Sequence, residues 1–252
     1  MKTQMTLTIG ILIFICSTTN IYAEDAKEIV RKADTKFNGE KSSYSEMTMT
    51  IVRPKYKRTL DFKSWSEGTK NALTLITSPA KEKGQSFLKS GNNMWNWNPT
   101  IQRLIKLQPA MMSQGWMGSD YSNDDILKES SLVTDYTHKI KGSETINGYD
   151  CWIIDLIPLE NADVVWGKIT LWISKNEYLE LKAEYFDEEM YLVKTNLAHD
   201  VKTFDGRTIP SIMEIIPADE DGNKTIVSIN DMKFNIQLQD NFFSQQNMKR
   251  IR

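Results

Sequence analysis

The sequence predicts a mainly β (α+β) fold, an antiparallel sheet of about eleven strands that curls toward a barrel. Three observations carry this expectation. Stretches of period-two alternation fill most of the chain, turn dipeptides separate them, and a single clear amphipathic helix stands near the start. There is no repeat of about 20 to 50 residues and no Pro/Gly/Ser-rich linker, so one domain is expected.

The amino end reads as a targeting segment. Met1-Lys2 is a short positive region, Leu7 to Ile15 is almost wholly apolar, and Ala23 offers a small residue for cleavage before Glu24. The apolar run is shorter than the ~20 residues that span a bilayer, so residues 1–23 are expected to be a cleaved secretory signal peptide. Cys16 follows the bulky Ile15, which disfavours lipidation. The expected product is an exported, soluble chain, 24–252, forming one domain.

Its first element is a helix: Ala26, Ile29, Val30, Ala33 and Phe37 share one face, and Asn38-Gly39 ends it. The period then changes to two. "EMTMTIV" sets Met47, Met49 and Ile51 on one side, and "YLELKAEYF" alternates Leu179, Leu181, Ala183 and Tyr185 with Glu180, Lys182 and Glu184. Asn147-Gly148, Asp205-Gly206 and Asp221-Gly222 mark hairpin turns. The one irregular stretch is 108–134, with weakly helical "AMMSQGWM" and "DDILKESSLV".

Composition excludes several functions. The formal charge of −2 becomes −3 once Lys2 leaves with the signal, so no basic stripe suits a nucleic acid. Cys151 is then the one remaining cysteine, and "YDCWIIDLIPL" reads it as a small buried hydrophobe. His138 and His199 lie in no metal-ligand spacing, and no HExxH, G-x-S-x-G or Gly-rich phosphate loop occurs. Asp120, Asp124 and Asp125 lack the rest of a calcium loop. They read better as the start of a short helix capped by Ser119 or Ser122. No catalytic residue, metal or cofactor is expected.

The seven tryptophans are a high number for this length. Trp95 and Trp97 share one face of "NNMWNWNP", Trp166 and Trp172 share a parity in "WGKITLWIS", and Trp65 and Trp152 lie on neighbouring strand candidates. A curved sheet covered by one helix and one insertion leaves an apolar cavity, which these rings would line together with Met111, Met112 and Met117. Trp95 and Trp97 are expected to look into it.

The stretch 79–127 carries a resemblance. Pro79, Gly84, Phe87-Leu88, Trp95-x-Trp97-x-Pro99, Arg103 with Ile105, and Met117-Gly118-Ser119-Asp120 with Asp124-Asp125 are similar to the bacterial outer membrane lipoprotein-sorting proteins of the LolA/LolB-like superfamily. "DNFFS" before the basic C-terminus also fits. The resemblance implies a half-open antiparallel β-barrel with a few helices covering its concave face. It also implies a carrier that holds acyl chains of lipoproteins or lipids and moves them toward the outer membrane. Implied partners are an inner-membrane transporter of the ABC or RND/MMPL type and an outer-membrane acceptor, with the carrier itself a monomer. The alternative is a lipid- or protein-sensing module of the same fold that regulates an envelope-stress or transporter partner. The resemblance makes 108–134 a lid in which Met111, Met112, Trp116 and Met117 cover the cavity. It adds Phe87 to the lining and makes Arg103 a candidate to position the lid by pairing with Asp120.

Overall fold

The computed structural model describes residues 25–38, 41–68, 70–91, 93–108, 111, 114–123, 125, 131–162 and 164–252. The expected signal peptide, Cys16, Met112 and Asp124 lie outside the described residues.

Helix α1 (Ala26–Asn38) forms where the apolar spacing places it, and Ala26, Ile29, Val30 and Ala33 are all buried. A meander follows: β1 (Ser42–Arg53), β2 (Tyr56–Glu67), β3 (Asn71–Ser78), β4 (Ser86–Ser90), β5 (Asn93–Asn98) and β6 (Arg103–Lys106). After the insertion come β7 (Tyr136–Ile146), β8 (Tyr149–Pro158), β9 (Lys168–Ser174), β10 (Glu180–Phe186), β11 (Leu192–Phe204), β12 (Arg207–Pro217) and β13 (Lys224–Phe234). A short helix α2 (Gln245–Met248) lies near the end. Asn147-Gly148, Asp205-Gly206 and Asp221-Gly222 all fall between strands as expected.

The thirteen strands form one antiparallel, unclosed sheet in the order β6-β5-β4-β3-β2-β1-β13-β12-β11-β10-β9-β8-β7. The excess over about eleven comes from pieces such as β4 and β6, five and four residues long, too short for alternation to register. Every neighbour pair but β1–β13 is consecutive in sequence. The two edges, β6 and β7, are therefore the strands that flank the 107–135 insertion. The described part of that insertion covers one face of the sheet, packing Leu107, Trp116, Met117 and Tyr121 on one cluster and Leu132 and Val133 on another.

One face carries α1 and the insertion. Beside α1, Ile154, Leu156, Ile169, Leu171 and Ile173 form a buried cluster that Leu132 and Val133 of the insertion join. Beneath the insertion's earlier half, Met49, Ile51, Leu60, Phe62, Ile76, Phe87 and Met94 form another. The opposite face holds Cys151, Trp172, Leu179 and Leu181 in one patch, and Leu73 and Leu88 under the C-terminal segment in a second. The expected alternation of Leu179 and Leu181 with Ala183 and Tyr185 fails at a bulge between Glu180 and Lys182, which sends the first two to the opposite face. Cys151 is fully buried and its thiol is pushed up mainly by that burial, as suits a small hydrophobe.

Candidate functional site: the face beneath the insertion

Trp116 is the centre of this face. It lies in a single 3-10 turn, Trp116–Gly118, and is 2% exposed. Its ring meets Phe87 edge-on at 5.2 Å and Phe62 at 5.8 Å, both from strands of the sheet below. The insertion thus plugs the face with an aromatic ring and does not merely span a hollow there. The indole Nε1 is buried and has no hydrogen-bond partner, so packing alone holds the ring. The turn is tight: a Cβ on Gly115 would stand 2.6 Å from the Ser119 carbonyl oxygen, and Met117 and Gly118 both take positive φ.

Polar contacts hold the plug at one end of the sheet. Nη2 and Nη1 of Arg53 donate to the two Asp120 carboxylate oxygens at 2.9 and 3.1 Å, and Nη2 also donates to the Gly118 carbonyl. The Thr225 hydroxyl donates to Asp120 at 2.7 Å and accepts from the Asp120 N–H at 3.0 Å. Arg58 donates to the Met117 carbonyl at 2.7 Å and to Glu82 at 3.1 Å. Strand parity explains the convergence. Arg53 follows Met49 and Ile51 by twos, Arg58 precedes Leu60, and Thr225 is the cross-strand partner of Ile51. Three adjacent strands therefore end in polar side chains on the apolar face.

Further along, Ser122 and Asp125 exchange side-chain and backbone hydrogen bonds at 2.8 and 3.0 Å, so of the two serines expected as a cap it is Ser122 whose hydroxyl accepts from the Asp125 N–H. Asp125 also accepts from Lys194 at 2.6 Å, and that ammonium lies 4.8 Å from the Trp166 ring and 5.0 Å from the Tyr185 ring. Burial, with the nearby Asp125 charge, pushes the Tyr121 hydroxyl up; burial also raises Tyr185, with Glu180 and Asp125 adding. Both phenols stay neutral between the apolar clusters.

The expected site residues divide between the two faces. Phe87, Trp116 and Met117 meet in the cluster under the insertion, and Trp152 and Trp166 pack beside α1. Met111 is half-buried, and its carbonyl accepts from Asn123. Trp65, Trp95, Trp97 and Trp172 are on the opposite face. For Trp95 and Trp97 the expected orientation is reversed: Met94 joins Phe87 under the insertion, so the neighbouring odd positions must point away. Trp166 and Trp172 part company because Trp166 precedes β9, at a bend where Gly167 passes against the Asp187 carbonyl. Arg103 is exposed on the edge strand β6, and Asp120 pairs with Arg53 in its place.

Arg53, Arg58, Thr225 and Lys194 were not singled out in the sequence. A usable signal existed for two of them, since Arg53 and Arg58 are cations at positions whose strand parity is otherwise apolar. Among the described residues, no three His, Cys, Asp or Glu side chains gather as a metal site, and no helix is long and apolar enough to cross a membrane.

Residues 68–250 match the model of a family described as "Uncharacterized protein". No curated protein matches the sequence. Among solved structures, a DUF1329 family protein from Desulfovibrio piger is similar at 24% identity and TM-score 0.79, covering 88% of this chain and 97% of that one. A domain described as an outer membrane lipoprotein-sorting protein, from Vibrio parahaemolyticus, matches at 23% identity and TM-score 0.78, covering 89% and 98%. A LolA superfamily protein from Nitrosomonas europaea matches at 24% identity and TM-score 0.74, covering 89% and 99%. The fold is LolA-like: mainly β, open, and spanned by nearly the full length of these structures.

Proposed function

We propose, from the premise that the chain belongs to the uncharacterized-protein family whose model spans its residues 68–250, that it is a periplasmic carrier. It takes up acyl chains of lipoproteins or lipids on the face now filled by Trp116 and moves them toward the outer membrane. A transporter in the inner membrane and an acceptor at the outer membrane would load and unload it.

The observation that carries this reading is the manner in which Trp116 is held. The ring fills an apolar site on the sheet but forms no hydrogen bond there, while its loop is held by Arg53, Asp120, Thr225 and Arg58 at the end of the sheet. An acyl chain can replace the indole on Phe62 and Phe87 without leaving a polar group of that ring newly unpaired. Each methylene so buried contributes about 0.8 kcal/mol, so a chain of ordinary length outweighs the lost ring contacts. The likeness of the fold to a lipoprotein-sorting domain and a LolA superfamily protein supports the same reading.

Native mass spectrometry of the protein purified without detergent tests it. Co-purified lipid or acylated peptide is expected. A ligand-free protein that also fails to bind a fluorescent fatty acid would sink the carrier reading, and a stoichiometric protein partner with no lipid would favour the sensing alternative.

A further inference from the structure

In this meander, the turns after β1, β3, β5, β8, β10 and β12 all lie at one end of the sheet. That end differs from the other in two ways. Outside the edge strands β6 and β7, every strongly exposed large hydrophobic side chain among the described residues lies there. Tyr56 and Ile101 mark one half, and Leu159, Val165, Met190 and Tyr191 mark the other. The turns at the opposite end carry Asn147-Gly148, Asp205-Gly206 and Lys175 instead. Exposed apolar side chains concentrated on one surface and ringed by charge mark an interaction site.

The charge of this end reverses at its middle. Between β6 and β1 the turns and the strand starts beside them present Arg103, Lys81, Lys83, Lys55 and Lys57, all exposed. The acid among them, Glu82, is engaged by Arg58. Between β13 and β8 they present Asp219, Glu220, Asp221, Glu188, Glu189 and Glu160, also exposed. The cations nearest them are engaged: Lys194 with Asp125, Lys224 with Glu214, and Lys168 over the Phe186 ring. The reversal falls between β1 and β13, the centre of the strand order.

We propose that this end is a self-complementary docking surface for a second copy of the chain. A twofold axis perpendicular to the strands, passing between β1 and β13, reverses the row of turns while keeping its curvature. It lays the basic half of one copy on the acidic half of the other and brings the apolar tips together. An isologous contact requires this arrangement, in which each half finds its complement twice. A uniformly anionic membrane would attract one half and repel the other. The surface includes the turn after Arg53, so pairing would also sit over the latch that holds Trp116. The inference does not depend on the carrier reading, because it rests on exposed residues outside the apolar cluster around Trp116.

Sedimentation velocity of the purified protein over a concentration series tests it. A monomer–dimer equilibrium is expected, weakening as salt rises from about 0.1 M to about 1 M and the screening length falls from about 10 Å to about 3 Å. Lys55→Glu with Lys57→Glu should weaken association by about tenfold or more, and so should Glu188→Lys with Glu189→Lys. Combining all four changes restores complementarity and should recover most of the association. Circular dichroism melts verify that each variant is folded, since all four side chains are exposed, three in turns and Lys57 at the start of β2. A monomer at about 1 mM, the weak limit of specific association, would overturn the proposal. Dimers indifferent to either reversal would do so too, as would binding to phosphatidylglycerol vesicles without self-association.

Discussion

Trp116 and the pair Trp95 and Trp97 lie on opposite sides of the same strands, and each side is covered differently. Trp95 and Trp97 are fixed in β5 and packed with Leu88, Phe242, Phe243 and Ile251 under the C-terminal segment. That segment is anchored by Met248, 1% exposed, and by a buried hydrogen bond of 2.6 Å from the Ser86 hydroxyl to the Met248 carbonyl. Trp116 comes from a segment tied down just beyond the ring, at Met117, Gly118 and Asp120, by charged side chains, and by no hydrogen bond at the ring itself. Covering an apolar sheet face is a structural need on both sides; only on the Trp116 side does the proposed function require the apolar anchor to leave.

The largest effect separates the two covers by stability. Met248→Ala removes a fully buried side chain from a cluster with no alternative filling, and a loss of about 2–5 kcal/mol is expected. The melting temperature should fall and fatty-acid binding should not change. Trp116→Ser deletes a larger ring, yet its cost is bounded by the free energy of opening the insertion, because the open form becomes the new native state. A smaller fall in melting temperature than for Met248→Ala is therefore expected. If Trp116→Ser proves the more damaging, the ring is ordinary core and the contrast between the faces is broken.

The second effect is on ligand. Removing the plug abolishes a competitor for Phe62 and Phe87. An indole burying on the order of 100 Å2 there contributes about 2.5 kcal/mol at ~25 cal/mol per Å2. Trp116→Ser should accordingly tighten binding of a fluorescent fatty acid by roughly tenfold or more, while Trp97→Ser leaves it unchanged. Weaker binding in the first variant would restore the lid-over-cargo picture, in which the ring touches ligand.

Much of this contrast was legible in the sequence, and the missing part has a physical reason. The helix from Ala26 and the turns at Asn147, Asp205 and Asp221 follow from local spacing, and so does the parity that puts Trp95 with Trp97. Which side that parity faces depends on pairing with β4, where Leu88 opposes Trp95 and Phe87 opposes Asn96, and no local pattern encodes that choice. Bulges erase parity altogether, as at Leu181. The latch was hidden for a similar reason: Arg53 and Asp120 are 67 residues apart, and Thr225 is 105 residues from Asp120. The motif containing Arg103 suggested a partner nearby in sequence, whereas the folded meander supplies one from the opposite side of the sheet half.

The third effect concerns that latch. Arg53 and Asp120 are 15% and 8% exposed, so the pair is sheltered, and Asp120→Asn keeps shape while removing the charge. The bidentate contact weakens, and Arg53 is left partly buried without its counter-charge. Because these groups touch the loop and not the apolar site, the exchange rate of a bound fatty acid should rise several-fold with a smaller change in affinity. Stopped-flow displacement measures it. An affinity loss as large as the rate change would place Asp120 in contact with ligand and blur the division between latch and site.

The smallest effect belongs to the opposite face, where Glu214 on β12 accepts from Lys224 at 2.7 Å and lies 3.3 Å from His199. The Lys224 hydrogen bond, against some burial, holds the Glu214 carboxyl below its usual range, and His199 adds to the shift. A carboxylate whose folded pKa is depressed stabilises the fold fully above its unfolded pKa, near 4.5, and that contribution fades as pH falls through the lower folded value. Lys224→Met should therefore destabilise by about 0.5 kcal/mol near pH 7, a modest figure because the ammonium is 38% exposed and screened by solvent. The deficit should shrink as the pH drops below about 4 and both proteins lose the Glu214 charge. Melting curves at pH 7 and at about pH 3 test the convergence. A deficit that persists in acid would assign the effect to the packing of the lysine stem instead. If the same variant also altered fatty-acid exchange, the two faces would be coupled through β12 and β13, and the contrast drawn between a permanent cover and a releasable one would no longer hold.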